Sequence, residues 1–92
     1  MDAEFEWDWE KYILNLKKHG ISLEEAETVF DDPLSLVVHD ESHSEEEDRY
    51  LIIGESCKGK LLVISHVYRR DKIRIINARF ASLKEKKNYE KK

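Results

Sequence analysis

Ninety-two residues suffice for one hydrophobic core and not two, so a single domain over residues 1–92 is expected and a separate cofactor-binding domain is excluded. No stretch approaches the roughly 18 consecutive apolar residues of a membrane-spanning helix, and Asp2, Glu4 and Glu6 stand where a secretory leader carries positive charge. A cytoplasmic protein with no membrane partner is therefore expected; Cys57, the one cysteine, excludes an intramolecular disulfide and a cysteine metal cluster.

Asp8 is placed to cap a helix from Trp9 to about His19, with Tyr12, Ile13 and Leu16 on one face, Lys17 and Lys18 in the last turn and Gly20 as a left-handed stop. Ser22-Leu-Glu-Glu25 reads as a capping box, and Leu23, Ala26, Val29 and Phe30 have the spacing of a second, short helix that Asp32-Pro33 ends. Four apolar runs follow, Leu34–Val38, Tyr50–Gly54, Leu61–Tyr68 and Ile73–Phe80, whose β-branched content predicts strands. The short connections at Cys57–Lys60 and Arg69–Lys72 make the last three an antiparallel meander, with the first at an edge. The acidic, polar stretch from His39 to Asp48 reads as an exposed loop. Ser82 and Glu85 form another capping box, opening a basic C-terminal helix through Tyr89, and Glu4–Glu6 is a candidate fifth strand. The predicted class is α+β: two N-terminal helices, an antiparallel sheet of about four strands and a C-terminal helix.

Charge is distributed unevenly along these elements. Met1–Asp48 holds sixteen acidic against three basic residues, a net −13; Arg49–Tyr68 carries +2 and Arg69–Lys92 carries +7. A basic C-terminal third suits a polyanion, while the acidic half repels nucleic acid and suits a basic partner.

The strand over Lys72–Phe80 is the informative segment, because Arg74, Asn77 and Arg79 interrupt an otherwise apolar run. Strict alternation puts Ile73, Ile75, Asn77 and Arg79 on one face and Arg74, Ile76, Ala78 and Phe80 on the other. If Tyr68 pairs with Ile73, then Leu62, Ile64, His66 and Tyr68 join Asn77 and Arg79, gathering groups able to hold phosphate and move protons. The alternative, toward which residue types alone lean, is that Arg79 pairs with a carboxylate such as Glu55 and His66 is a satisfied, half-buried residue. His39 and His43, flanked by Glu41 and Glu45–Glu47, lack the support of a metal site and read as a solvated loop. Trp7 and Trp9 read as core and helix anchors. Lys18-His19-Gly20 puts a cation and an imidazole at a helix C-terminus, which plain capping explains equally well.

Phe5-Glu-Trp-Asp8, Lys11, Asn15, Lys18-His-Gly20, Glu24-Glu-Ala26, Val29-Phe30, Asp32-Pro33, Arg49, Ile53-Gly54, Arg74-Ile-Ile-Asn-Ala-Arg79, Ala81, Glu85 and Tyr89 together resemble the BrnT toxin family. The resemblance spans nearly the entire chain, in order and with compatible spacing. It implies a RelE-like fold and metal-independent RNA cleavage that arrests translation, with no cofactor. It also implies neutralisation by a BrnA-like ribbon-helix-helix antitoxin, through which alone the complex meets promoter DNA. The sequence departs from the family pattern at Asn77, usually serine, at Arg70, usually a turn glycine, and at Lys86, usually arginine. The second departure predicts a different turn geometry, since arginine tolerates positive φ poorly.

A metal-free ribonuclease activates the ribose 2′-OH, stabilises a phosphorane-like transition state and protonates the leaving 5′-oxygen. Arg79 and then Arg74 are the expected phosphate stabilisers, with His66 or Glu55 as the general base. Lys18, His19, Arg49 and Tyr89 are carried over from the family pattern with roles unassigned. The rivals are a binding module whose site has decayed, for which Asn77 is the best argument, and a direct DNA-binding regulator, opposed by the acidic half and the lack of a helix-turn-helix pattern.

Overall fold

A computed structural model of the chain describes residues 4–91, so Asp2 and Lys92 lie outside the described residues. The elements are β1 (Glu4–Trp7), α1 (Trp9–His19), α2 (Leu23–Thr28), β2 (Leu36–His39), β3 (Tyr50–Glu55), β4 (Leu61–Arg69), β5 (Lys72–Phe80) and α3 (Leu83–Glu90). The strands form one sheet in the order β1-β5-β4-β3-β2. The α+β class holds, but the expectation of about four antiparallel strands is corrected: β1 is a fifth strand, and it pairs parallel with β5, Glu4 opposite Lys72 through Trp7 opposite Ile75. Phe5 and Trp7 are its anchors, both packed against the core. Among the described residues no helix is long and apolar enough to cross a membrane.

Helix α1 begins and ends on the expected residues. Asp8 accepts the Lys11 N–H at 3.2 Å, and Gly20, at φ 70°, donates to the Leu16 carbonyl at 2.8 Å. The capping box of α2 is only half present. Ser22 accepts the Glu25 N–H, but the Glu25 carboxylate is buried and accepts from the Ser56 hydroxyl at 2.8 Å instead. Glu25 thus spans from α2 to the β3–β4 turn, a tertiary use of a residue that local pattern reserves for its own helix end. Asp32 does more than stop α2. Its carboxylate accepts the N–H groups of Leu34 and Glu55 and the hydroxyl of Tyr89, fastening the loop before β2, the end of β3 and α3 to one point.

One face of the sheet packs on α2 and the turn after it. Ile52, Leu62, Ile64, Ile73, Ile75 and Ala78 meet Ile21, Ala26 and Val29 there. Tyr68 does pair with Ile73, but the ladder slips between Ser65 and His66: His66 faces Ile75 and Ser65 faces Asn77, which leaves Ile76 as an extra residue in β5. A bulge of this kind reverses the alternation beyond it. Ile73, Ile75 and Ala78 therefore share the core face, and the expected grouping of Ile73 and Ile75 with Asn77 and Arg79 is corrected. Arg74, Asn77 and Arg79 come together on the opposite, open face.

His66 stays on the core side. It is 0% exposed, with its ring edge-on to Phe30 and Tyr68. Nδ1 lies 3.0 Å from the Ile64 carbonyl and must donate to it, so Nε2 is left to accept from the Tyr68 hydroxyl at 3.3 Å. Burial holds its pKa below the ordinary 6.5, against the opposing pull of the Ile64 carbonyl.

The two-residue connection between β4 and β5 also differs from expectation. Arg69 pairs with Lys72 across it, and Arg70 adopts φ 58°, the positive φ at the first central position that a II′ hairpin turn requires. Arg70 carries the strain of that positive φ. Arg70→Gly is accordingly expected to raise stability by about 1 kcal/mol in chemical denaturation; a less stable variant would mean that the arginine side chain contributes more than the turn loses.

The buried neutral imidazole sets a second expectation. In the unfolded chain His66 binds a proton near pH 6.5, whereas the folded state resists it, so the unfolded state holds more protons below that value and stability is lost as the pH is lowered through it. For a single proton the loss cannot exceed about 1.4 kcal/mol per pH unit. His66→Phe is expected to flatten this part of the stability profile, and an unchanged slope would show that His66 does not set it.

Candidate active site

The open face of the sheet is flanked by two walls. Beyond Ile75, where β1 ends, α1 lies along β5, and Asn15 Oδ1 accepts the Ala78 N–H at 3.0 Å, continuing the edge that β1 no longer covers. Between the two lies a groove of about 510 Å³ lined by Lys11, Leu14, Asn15, Lys18, His19, Arg49, Ile76, Asn77 and Arg79. An adjoining hollow of about 310 Å³ shares Arg49, Asn77 and Arg79 and adds Ser65 from β4, with Asp40 and His43 from the loop after β2. That loop forms the other wall, and farther along it Glu45–Glu47 also face Arg49.

Arg79 is held rigidly. Its guanidinium donates two hydrogen bonds to the Glu85 carboxylate, at 2.7 and 2.8 Å, in the fork geometry that favours arginine. Glu85 also accepts the Ser82 N–H at 2.9 Å, closing the capping box of α3. The Arg79 hydrogen bonds, outweighing burial, hold the Glu85 carboxyl down to about 2. The partner of Arg79 is thus Glu85 rather than Glu55. Arg49 lines both hollows and has no ion-pair partner among the described residues.

Of the expected residues, Lys18, His19, Arg49 and Arg79 meet in the groove. Arg74 shares the open face but is turned toward the N-terminal edge, 3.6 Å from Glu6 and 3.8 Å from Asp8. The bulge puts His66 on the far side of the sheet, buried, so the expected assembly of His66 with Arg79 is not formed. Glu55 lies at the end of β3, lining a separate hollow with Asp32 and Cys57. Tyr89 is also remote from the groove: its hydroxyl donates to Asp32 at 2.7 Å, and that bond, with burial and the nearby carboxylates, pushes it up to about 12. Neither is placed to exchange a proton with a substrate beside Arg79.

Sequence reasoning passed over Lys11 and the Asp40–His43 pair. His43 Nδ1 sits 2.9 Å from the Asp40 carboxylate and 3.0 Å from the Ser42 hydroxyl, in a 3₁₀ turn over Glu41–His43. The ring remains largely exposed beside the groove, at 64% of its side chain. Burial pushes the Asp40 carboxyl up, but hydrogen bonds from Ser42 and His43 and the charges of His43 and Arg49 together hold it below its usual value. The available signal was the i, i+3 spacing of an aspartate and a histidine with a serine between them. Among the described residues no three His, Cys, Asp or Glu side chains form a group able to hold a metal ion.

The arrangement offers two guanidinium groups, two ammonium groups, two imidazoles and two amides around one concave surface, a donor-rich lining suited to a phosphodiester. No curated protein matches the sequence significantly. The fold is similar to the crystal structure of the ribonuclease toxin BrnT of Brucella abortus, with a TM-score of 0.68 and 21% identity over 88% of this chain and 99% of that one. The sequence model of the ribonuclease toxin BrnT, of type II toxin-antitoxin systems, matches residues 7–85. Since that match takes in every strand but the start of β1, and α3 as far as Glu85, the chain belongs to the BrnT family of type II ribonuclease toxins.

Proposed function

We propose that this toxin cleaves single-stranded RNA without a metal ion, in the groove between α1, β5 and the loop after β2. The observation that carries the reading is the convergence there of Arg49, Arg79, Lys18 and His19, with no carboxylate within ion-pair distance of Arg49 among the described residues, although Asp40 and Glu47 lie near enough to feel its charge. A guanidinium already neutralised in a structural pair binds phosphate less readily than one awaiting a counter-charge. Arg49 therefore takes the non-bridging phosphate oxygens, and Arg79, preset by Glu85, stabilises the charge that grows on them in the transition state.

Acid and base come from the two walls. With Nδ1 directed at Asp40, His43 keeps Nε2 as a lone-pair acceptor for the 2′-OH proton, the orientation that a carboxylate imposes on a catalytic histidine. His19 ends α1 on the groove wall and serves as the acid for the departing 5′-oxygen. Asn77 orients the ribose. Attack by the 2′-oxygen forms the new P–O bond as the P–O5′ bond breaks, leaving a 2′,3′-cyclic phosphate and a 5′-hydroxyl. In the cell the cleavage arrests translation, and a BrnA-like ribbon-helix-helix antitoxin covers the groove and carries the complex to promoter DNA. The acidic loop wall supplies a surface that steers such a basic partner.

Purified protein and a labelled RNA oligonucleotide test the reading. Cleavage is expected to persist at an unchanged rate in EDTA, to drop about 10²- to 10³-fold in Arg49→Gln and about 10²-fold in His43→Gln. Arg49→Gln is expected to unfold within about 0.5 kcal/mol of the parent, having no ion pair to lose. Loss of activity on chelation with recovery on adding a divalent ion would overturn the metal-free mechanism. Parental rates in both variants would move the site elsewhere, and an inert parent protein would favour a decayed binding module.

A further inference from the structure

We infer that the groove-facing side of α1 is a second RNA subsite, which binds the nucleotide flanking the cleaved linkage and sets the length of strand the toxin prefers. The inference rests on the ribonuclease reading of the adjoining groove. Lys11, Leu14, Asn15 and Lys18 follow the i, i+3, i+4, i+7 spacing of one helical face, and all four line the groove. The two lysines are exposed and have no ion-pair partner among the described residues, although residues 1–48 hold sixteen carboxylates. The three cations of that segment, Lys11, Lys17 and Lys18, all stand on α1, and two of them face the groove. Seven residues of helix separate those two by about 10 Å, enough for them to face different phosphates of an extended strand.

Between the lysines, Leu14 is 66% exposed, an apolar surface without a protein neighbour to cover it, and apolar contact with a base face is its natural use. Asn15 adds an independent sign. The residue is only 6% exposed and its Oδ1 is committed to the Ala78 N–H, yet its Nδ2 has no hydrogen-bond partner among the described residues. A buried amide donor left over in the wall of a ligand groove calls for an acceptor. The phosphates, riboses and bases of RNA all supply one.

Two measurements on the 92-residue chain test this. Steady-state cleavage of a long oligonucleotide and of a dinucleotide, with Lys11→Gln and Leu14→Ser, separates the subsite from the chemistry. Each variant is expected to raise KM for the long strand about fivefold with kcat within about twofold, and to leave the dinucleotide nearly unaffected. Fluorescence anisotropy with a 2′-deoxy version of the strand, which cannot be cleaved, should show the salt dependence of binding in Lys11→Gln reduced by about 0.7 in the log–log slope, one phosphate contact. Equal losses on long and short substrates, or parental KM and salt slope in the variants, would overturn the inference while leaving the ribonuclease reading intact. A parent protein that cleaves nothing would defeat that reading instead. Anisotropy would then still decide whether α1 holds a strand, and variants that bind it as tightly as the parent would overturn the subsite.

Discussion

Ile76 has no partner on β4, and the side of the sheet on which charge accumulates depends on that one missing pair. Three events coincide at this level of β5. β1 ends opposite Ile75, the chain turns at Asp8 into α1, and Asn15 takes over the edge by accepting the Ala78 N–H. Without the extra residue, alternation would carry Asn77 and Arg79 into the layer occupied by Ile73 and Ile75, beneath α2. A guanidinium there would lose its hydration in a largely apolar layer, and without a well-placed carboxylate that costs several kcal/mol. The bulge gives up local ladder regularity and in exchange sends Arg79 to the open face, where Glu85 meets it.

The resulting groove is not simply the basic part of the chain. The C-terminal third carries +7, but Lys84, Lys86 and Lys87 on α3 stand apart from the groove, and the third contributes only Ile76, Asn77 and Arg79 to it. Lys11, Lys18 and His19 come from the acidic half. The field across the groove is therefore asymmetric: cations line the α1 wall, while Glu45–Glu47 line the opposite side, where Glu47 is tied to Arg69 at 2.7 Å. A polyanion entering such a cleft is drawn along α1 and turned away from the loop, which gives the strand a direction as well as a place.

Most elements are legible in the sequence because their signals are local. Asp8 and Gly20 bracket α1, Ser82 with Glu85 opens α3, and the three long strands fall where β-branched runs do. Features that rest on distant partners are not legible. The parallel pairing of β1 needs β5, some 70 residues away; Glu25 leaves its own helix for Ser56; and Asp32, read as a helix stop, joins β3 and α3. The bulge had the largest effect on the site. Neither Gly nor Pro marks it, so a period-two reading of Ile73–Phe80 runs through it without a break and assigns Asn77 and Arg79 to the face of His66. The same residues were singled out as candidates, with the wrong neighbours. In the sequence His43 goes with His39 as a weak metal candidate and Asp40 passes unnoticed, because the 3₁₀ turn that brings Asp40, Ser42 and His43 together carries no apolar or glycine signal.

Helix α3 ties the proposed chemistry back to the fold. None of its residues is buried, so apolar packing contributes little to holding it. Its place is set by polar contacts at both ends: the Ser82–Glu85 box with the Arg79 fork at the start, and Tyr89 on Asp32 near the finish. Each contact taken singly is worth about 1 to 3 kcal/mol, but they are not independent. Fraying of the first turn withdraws Glu85 from Arg79, and movement of the loop at Asp32 loosens Tyr89. A groove arginine oriented by a helix that is itself held by that arginine is a reciprocal arrangement. Displacing α3 would take Glu85 from Arg79, so the order of this exposed helix bears on the groove without any part of it lining the groove.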